Sequence, residues 1–224
     1  MEDSASNLIH QLVAQLNKNL KELTDMAQVL GQDCAEQYLI IQTNDSQIHR
    51  RAYVRSVFAL IEVILHRMKL IAAHLGGSLG TLSIQEIVVI NEEAFDVNDK
   101  GEVISKSVFI KFLNNVKFAF NVYSKSIGSS FELSLAGDGW QNLRVCTKVR
   151  DRLMHPKATT DLEVTIAEVE AAKITFDWFL ISYALCSHHA QKATQSKTSA
   201  TPSDIASLDL EILELETSLA QKGG

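Results

Sequence analysis

The sequence lacks the short motifs that mark several large enzyme classes. It contains no Gly-x-x-x-x-Gly-Lys phosphate loop and no His-Glu-x-x-His zinc motif. Its acidic residues form no carboxylate cluster of the kind that holds Mg²⁺. These absences argue against a P-loop nucleotide hydrolase and a zinc peptidase. The sequence therefore predicts a protein that uses no metal and no cofactor.

Long apolar runs and paired cysteines are also missing. No apolar stretch approaches the ~18 residues of a membrane-spanning helix, so no membrane association is expected. The three cysteines are odd in number, far apart and embedded in helical patterns, which predicts reduced, buried thiols rather than disulfides or zinc ligands. The N-terminal sequence MEDSASNL is acidic and polar, unlike a secretory signal. The expected location is the cytoplasm.

Only two prolines interrupt the chain, and one of them ends a helical pattern. The apolar residues that set this helical spacing are Leu143, Cys146, Val149 and Leu153. Pro156 disfavours a helical backbone at the residue before it, so His155 is predicted at the very end of the helix. Asp151 lies four residues before His155, and its carboxylate is expected to hold one imidazole nitrogen.

A basic stretch surrounds this helix end. Arg150 lies five residues before His155, about 140° away around an ideal helix. Only the long arginine side chain, or a second copy of the protein, could bring the guanidinium to the imidazole. The other cations of the stretch are Arg144, Lys148, Arg152 and Lys157. The net charge of −6 counts against indiscriminate binding of nucleic acid. A basic helix end that complements the helix dipole and faces solvent is the alternative interpretation.

The segment Arg150–Pro156, Arg-Asp-x-x-x-His followed by Pro, resembles the Arg-polar-x-x-x-His signature of the HEPN superfamily of small helical RNA-directed proteins. The upstream segment Arg51–Glu62 also resembles a helix of that superfamily. The resemblance covers roughly residues 45–190. It implies an antiparallel helical bundle and a symmetric homodimer whose cleft is lined by both copies of the motif.

The same resemblance implies a metal-independent endoribonuclease. In such an enzyme the ribose 2′-hydroxyl attacks the adjacent phosphate, His155 transfers a proton and Arg150 stabilises charge on the phosphoryl oxygens. Asp151 orients His155. The residues implied in RNA binding are Arg144, Lys148, Arg152 and Lys157. Many HEPN ribonucleases are toxins or antiphage defence effectors that an antitoxin or another domain restrains.

The helix upstream of the motif carries a second charged stripe beside its apolar one. Arg55 and Glu62 lie seven residues apart and therefore on one side of the helix. If this helix lies beside the motif, Arg55 and Glu62 are candidates to contact the motif residues and hold them in place. An ion-paired edge that faces solvent is the competing interpretation.

Hydrophobic periodicity predicts an all-α, mainly helical protein with one small hairpin. The predicted helices cover residues 5–30, 47–75, 107–127 and 165–187, with a short one after a Ser83–Glu86 capping box. The first helix is expected to break at Gly31 and the second at Gly76-Gly77. The hairpin is predicted at 95–103, around an Asn-Asp-Lys-Gly turn.

The domain organisation follows from a change in composition near the C-terminus. Residues 1–190 are predicted to form the HEPN-like domain, and the polar residues 191–202 a linker. Residues 203–221 are predicted to form an acidic amphipathic helix that is too short to be stable alone in water. It must dock on its own domain, on a second copy or on a partner such as an antitoxin.

Three interpretations remain open. The first is the metal-independent ribonuclease. The second is a module of the same fold that binds RNA or a protein without catalysis. In the third, Arg150 and His155 are structural, and His155 simply ends a helix.

Overall fold

The computed structural model describes residues 2–195 and the side chains of residues 14–193. Six α-helices and one two-stranded hairpin form the regular structure of this part of the chain, which confirms the predicted all-α class. None of these helices is long and apolar enough to cross a membrane. In chain order the elements are α1 (Glu2–Thr43), α2 (Gln47–Leu79), α3 (Ile84–Ile90), β1 (Glu93–Val97), β2 (Val103–Ser107), α4 (Phe112–Ile127), α5 (Asp138–Met154), a 3₁₀ turn (Thr159–Leu162) and α6 (Ile166–Gln195).

The described chain divides into two compact units. The first contains residues 2–33 and 59–128, and therefore most of α1, the later part of α2, α3, the hairpin and α4. The second contains residues 34–58 and 129–195, with the end of α1, the start of α2, α5 and α6. The motif segment Arg150–Pro156 and the start of α2 thus belong to the same unit.

Two helices continue through glycines that were predicted to end them. α1 passes through Gly31, and α2 passes through Gly76-Gly77 before the chain turns at Gly80 with φ +66°. A glycine inside a helix costs only about 1 kcal/mol relative to alanine, an amount that packing readily offsets. At Gly76 the missing side chain makes room for Leu82, whose Cγ would lie 2.3 Å from an added Cβ. Both predicted helix ends are wrong.

The short helix and the hairpin are confirmed. Ser83 N–H donates to Glu86 Oε2 at 2.7 Å and Glu86 N–H donates to Ser83 Oγ at 3.2 Å, which completes the predicted capping box. β1 and β2 pair antiparallel, with Val97 opposite Val103 and Gly101 in the turn at φ +76°. α4 begins later than predicted because its expected first residue, Ser107, is the last residue of β2.

The second unit is organised around the antiparallel pair α5 and α6. Near the start of α5, Gly139 approaches Trp178 of α6 so closely that a Cβ would lie 2.1 Å from Trp178 Cγ. The rings of Trp140 and Trp178 meet edge to face with centroids 6.0 Å apart, a geometry worth about 0.5–1.5 kcal/mol beyond its buried area. The main buried residues of the two helices are Trp140, Leu143, Cys146, Val149, Leu153, Val169, Ala172, Thr175, Phe179 and Cys186.

The two ends of α6 differ in how well they were predicted. Its start is confirmed, because Thr165 N–H donates to Glu168 Oε2 at 2.9 Å in a second capping box. It runs to Gln195, beyond the predicted end near Ser187 and into the predicted linker, since Ala190 continues the buried face of the helix. Residues 159–162 form a 3₁₀ turn. The predicted helix at 203–221 lies outside the described residues.

Replacing Gly139 by alanine is expected to destabilise the second unit, since the new methyl group would overlap Trp178. Overpacking of this kind costs about 1–3 kcal/mol, which a urea titration would report as a fall in the free energy of unfolding. Gly31→Ala is the matched control, because no atom lies within 4 Å of its added Cβ. That substitution should be neutral or stabilising by up to ~1 kcal/mol. Equal effects of the two variants would contradict the packing of Gly139 on Trp178.

Candidate functional site

The candidate site begins where α5 ends. The helix finishes at Met154, and His155 follows as its C-cap residue with φ −132° and ψ 59°. Its N–H donates the last helical hydrogen bond to Asp151 O at 3.0 Å, and its side chain is exposed. The ring of Pro156 disfavours a helical conformation at the residue before it. The predicted position of His155 at the end of the helix is therefore confirmed.

One exposed stripe of α5 carries most of the charged groups of the motif. Arg144, Lys148, Asp151 and His155 recur at steps of four, three and four residues, and all four are exposed. We call these four residues the α5 stripe. Within it, Arg144 Nη1 donates to the neighbouring Gln141 Oε1 at 3.1 Å. The stripe therefore presents two cations to solvent along the helix, with the exposed imidazole just beyond its last turn.

Arg150 occupies a different flank of α5, towards the start of α2. Its guanidinium carbon lies 5.9 Å from the centre of the Phe58 ring, and Nη1 donates to Asp151 Oδ1 at 3.1 Å. The Arg150 side chain is 24% exposed, whereas that of Asp151 is 59% exposed. A cation over an aromatic face contributes about 0.5–1 kcal/mol at such a partly exposed position. Arg150 is thus held against α2, although its charge still reaches solvent.

The expected hydrogen bond between Asp151 and His155 is not formed among the described residues. The Asp151 carboxylate accepts from Arg150 instead. The physical reason is that residues four apart face each other only while both are helical, and His155 has already left the helix. The proline that places His155 at the helix end also removes it from the register in which Asp151 could hold it.

The four residues predicted to bind RNA fall into two groups. Arg144, Lys148 and Lys157 are exposed. Arg152 forms an ion pair with Glu168 through the single nitrogen Nη2, which lies 3.0 and 2.8 Å from the two carboxylate oxygens and also donates to Glu163 O at 2.6 Å. Contact with RNA stays a prediction for all four, but Arg152 already has protein partners.

The two α2 residues that were candidates to support the motif lie in different units. Arg55 Nη2 donates to Leu153 O at 3.4 Å, a long contact with one of the last carbonyls of α5. The neighbouring Arg51 Nη1 donates to Leu162 O at 3.0 Å. Glu62 is exposed and belongs to the unit of residues 59–128. Arg55 therefore contacts the motif helix, and the role expected of Glu62 stays a prediction.

Sequence reasoning missed two residues at the start of α2 that hold the segment after the motif. The Gln47 amide donates to Val164 O at 3.0 Å and accepts from Val164 N–H at 2.8 Å. Arg50 Nη1 donates to the same carbonyl at 2.9 Å, and Val164 is fully buried. The polar residues at the start of α2 predict only a face exposed to solvent. Their contacts with the backbone of Val164, more than a hundred residues away, could not be predicted from the sequence pattern.

Two further reactive side chains of the described chain, Ser78 and Cys146, are not placed for catalysis. The segment Gly76–Gly80 matches the Gly-x-Ser-x-Gly pattern of serine hydrolases, which sequence reasoning missed, but it lies at the end of α2 rather than between a strand and a helix. Ser78 Oγ there donates to His74 O at 2.8 Å. Burial raises the pKa of Cys146 to about 11, so its thiol is not a nucleophile at neutral pH. Within the described residues no group of three His, Cys, Asp or Glu side chains could hold a metal ion.

The carboxylate of Asp161 organises the turn that follows Pro156, and this makes the turn sensitive to acid. The N–H groups of Lys157 and Ala158 donate to Asp161 Oδ2 at 2.7 and 3.0 Å, and they lower the pKa of Asp161 from its ordinary value of 3.8. A lowered folded-state pKa gives stabilisation that is present above 3.8 and is lost as the pH falls through the folded pKa. The protection factors of these two amides in hydrogen exchange should therefore fall in that acid range. In Asp161→Ala they should be low already at neutral pH. Protection that stays constant through the acid range in the wild-type protein would contradict this assignment.

The comparisons with known proteins add no relative. No protein-family model matches the chain, and neither a curated protein nor a solved structure matches it. The resemblance to the HEPN superfamily therefore depends on the segment Arg150–Pro156 and on the helix upstream of it, and it stays a prediction.

Proposed function

We propose that this protein is a metal-independent endoribonuclease of the HEPN type that cleaves single-stranded RNA. The observation that carries the proposal is the exposed end of α5, where a helix that stops at a proline presents His155 to solvent. The exposed cations Arg144 and Lys148 lie on the same side of the helix. Such cations attract a phosphate backbone locally, even though the whole chain carries a net charge of −6.

The proposed chemistry needs only groups of the protein and the ribose. The 2′-hydroxyl gives up its proton and its oxygen bonds to the adjacent phosphorus, while the bond from phosphorus to the 5′ oxygen breaks. The products are a 2′,3′-cyclic phosphate and a 5′-hydroxyl end. Imidazole titrates near neutral pH, so His155 can accept or donate the proton. Arg150 carries a permanent charge on a planar fork, which suits it to the phosphoryl oxygens.

A second copy of the protein completes the proposed site. Arg150 lies on the flank of α5 that contacts Phe58, whereas His155 is exposed beyond the end of α5. Two copies related by a two-fold axis would place the arginine of one beside the histidine of the other. Val145 and Met154 of α5 support such an interface, since these apolar side chains are 48% and 55% exposed.

The biological role follows from the same resemblance. We propose a toxin or an antiphage defence effector that acts on RNA in the cytoplasm. The acidic segment 203–221 is the candidate site for a restraining partner such as an antitoxin, because its predicted apolar face needs a surface to dock on. Arg55 would support the motif from α2 through its contact with Leu153 O.

The direct test is RNA cleavage by the purified protein in EDTA, followed by analysis of the product ends. We expect 2′,3′-cyclic phosphate ends from single-stranded RNA and no cleavage of DNA, which lacks the 2′-hydroxyl. His155→Ala and Arg150→Ala should each lower kcat by about 10²-fold or more. Asp151→Asn should have a smaller effect.

Two controls separate chemistry from stability in this test. Arg150→Lys keeps a long aliphatic stem and a positive charge but lacks the planar fork, so its activity should lie between wild type and Arg150→Ala. Lys173→Gln removes an ion pair with Asp177 on α6, in the same unit, and should leave cleavage unchanged. Cleavage that requires a divalent metal, or that survives in His155→Ala, would contradict the proposal.

A non-catalytic RNA-binding module of the same fold is the second candidate. The observation that favours it is the pairing of Asp151 with Arg150, which leaves His155 without the carboxylate expected to orient it. This alternative predicts that RNA binds and is never cut, under any ionic condition. Loss of binding in a variant with Arg144→Ala and Lys148→Ala would then assign the α5 stripe as the RNA contact.

A further inference from the structure

His155 sits at the start of a ten-residue segment that connects α5 to α6, and we call residues 155–164 the His155 loop. Its first residue has left the helix, and its side chain makes no hydrogen bond to Asp151. An imidazole that transfers a proton must be held within a fraction of an ångström of its working position. Some other part of the unit must therefore fix the loop.

Arg152 and Glu168 form the first set of contacts that fixes the His155 loop. The Arg152 guanidinium lies between the end of α5 and the start of α6, with Nη2 donating to Glu163 O and to both oxygens of Glu168. The two side chains are only 25% and 24% exposed, so solvent weakens this pair less than a fully exposed one. Glu168 also accepts from Thr165 N–H at 2.9 Å, which joins the ion pair to the first turn of α6.

The start of α2 provides the second set of contacts, with the backbone at the end of the loop. Gln47 and Arg50 bind the backbone of Val164, and Arg51 binds Leu162 O at 3.0 Å. Asp45 holds the Arg50 guanidinium from the turn before α2. The last residues of the loop are therefore fixed by four hydrogen bonds with α2. Asp161 holds the N–H groups of Lys157 and Ala158 near its beginning, and Arg152 ties the last turn of α5 to Glu163 O.

We infer that Arg152 and Glu168 are positioning residues for His155, in the role that the sequence assigned to Asp151. This inference rests on the proposed ribonuclease function. Arg152 lies three residues before His155 and ties the last turn of α5 to α6. The pair thus sets where α5 ends relative to the loop, and with it the place of the imidazole. In this account Arg152 is not an RNA contact.

The experiment compares Arg152→Gln, Arg152→Lys and Glu168→Gln in steady-state cleavage of a single-stranded RNA. Both glutamine variants should lower kcat about tenfold or more with KM unchanged, because small displacements of a reacting group are costly. Arg152→Lys should not restore kcat, since the lysine side chain is one bond shorter than the arginine chain to Nη2, the single atom that donates to Glu163 O and both Glu168 oxygens. Glu168→Gln is the sharpest variant, because it removes a negative charge and should not weaken RNA binding.

Asp177→Asn is the matched control, since it neutralises one partner of another ion pair on α6, with an Nζ to Oδ2 distance of 2.7 Å. It should leave kcat and KM unchanged. A raised KM with normal kcat in Arg152→Gln, or full restoration by Arg152→Lys, would overturn the inference and make Arg152 a phosphate contact. Normal kcat in Glu168→Gln would also overturn it.

A measurement without RNA separates this inference from the proposed function. The imidazole resonances of His155 in NMR spectra should shift or broaden in Glu168→Gln and stay unchanged in Asp177→Asn. If the wild-type protein cuts no RNA but these resonances respond as expected, the ribonuclease proposal fails while the positional role of the pair stands. Unchanged His155 resonances in Glu168→Gln would refute that role whatever the activity.

Discussion

The ring of Pro156 imposes the steric constraint on which the candidate site depends. It disfavours a helical backbone at His155, so α5 stops there and the imidazole is presented at an exposed helix end. The same constraint moves His155 out of register with Asp151, whose carboxylate then pairs with Arg150. The position of an exposed histidine must be fixed by other contacts. Residues of α2 bind the end of the segment 155–164, and Arg152 links the end of α5 to Glu163 O and to Glu168 of α6.

The second consequence concerns the separation of charge around α5. Arg150 packs on Phe58 and is mostly shielded, whereas the α5 stripe faces solvent. A single copy therefore exposes an imidazole and two cations, whereas the proposed phosphate-stabilising guanidinium is held against Phe58 and Asp151. A second copy could bring the two groups together. In an isologous contact across a two-fold axis, Arg150 of one copy can meet His155 of the other, and the reverse contact forms as well. The exposed apolar side chains of α5 are consistent with that use of the surface.

Local signals predicted the elements of the site well, and tertiary contacts limited the rest. The helix start at Thr165 and the helix end before Pro156 each depend on neighbours within four residues, and both were predicted correctly. Gly76 was wrongly predicted to end α2, because it is the packing of Leu82, after the helix has ended, that requires a glycine there. Arg152 was predicted to bind RNA because its ion-pair partner, Glu168, lies on another helix and could not be predicted from the pattern of α5. A helical pattern shows which face a side chain occupies, but not which backbone or side chain will meet it.

The central claim is that Arg150 of one copy acts with His155 of another, and mixed dimers test it most directly. Arg150→Ala and His155→Ala chains carrying different tags are co-expressed, and the dimer containing one of each is purified. Each variant homodimer should be inactive, whereas the mixed dimer keeps one intact Arg150–His155 pair of two and should show about half of the wild-type kcat. An inactive mixed dimer, or a wild-type protein that cleaves RNA as a monomer, would contradict the account.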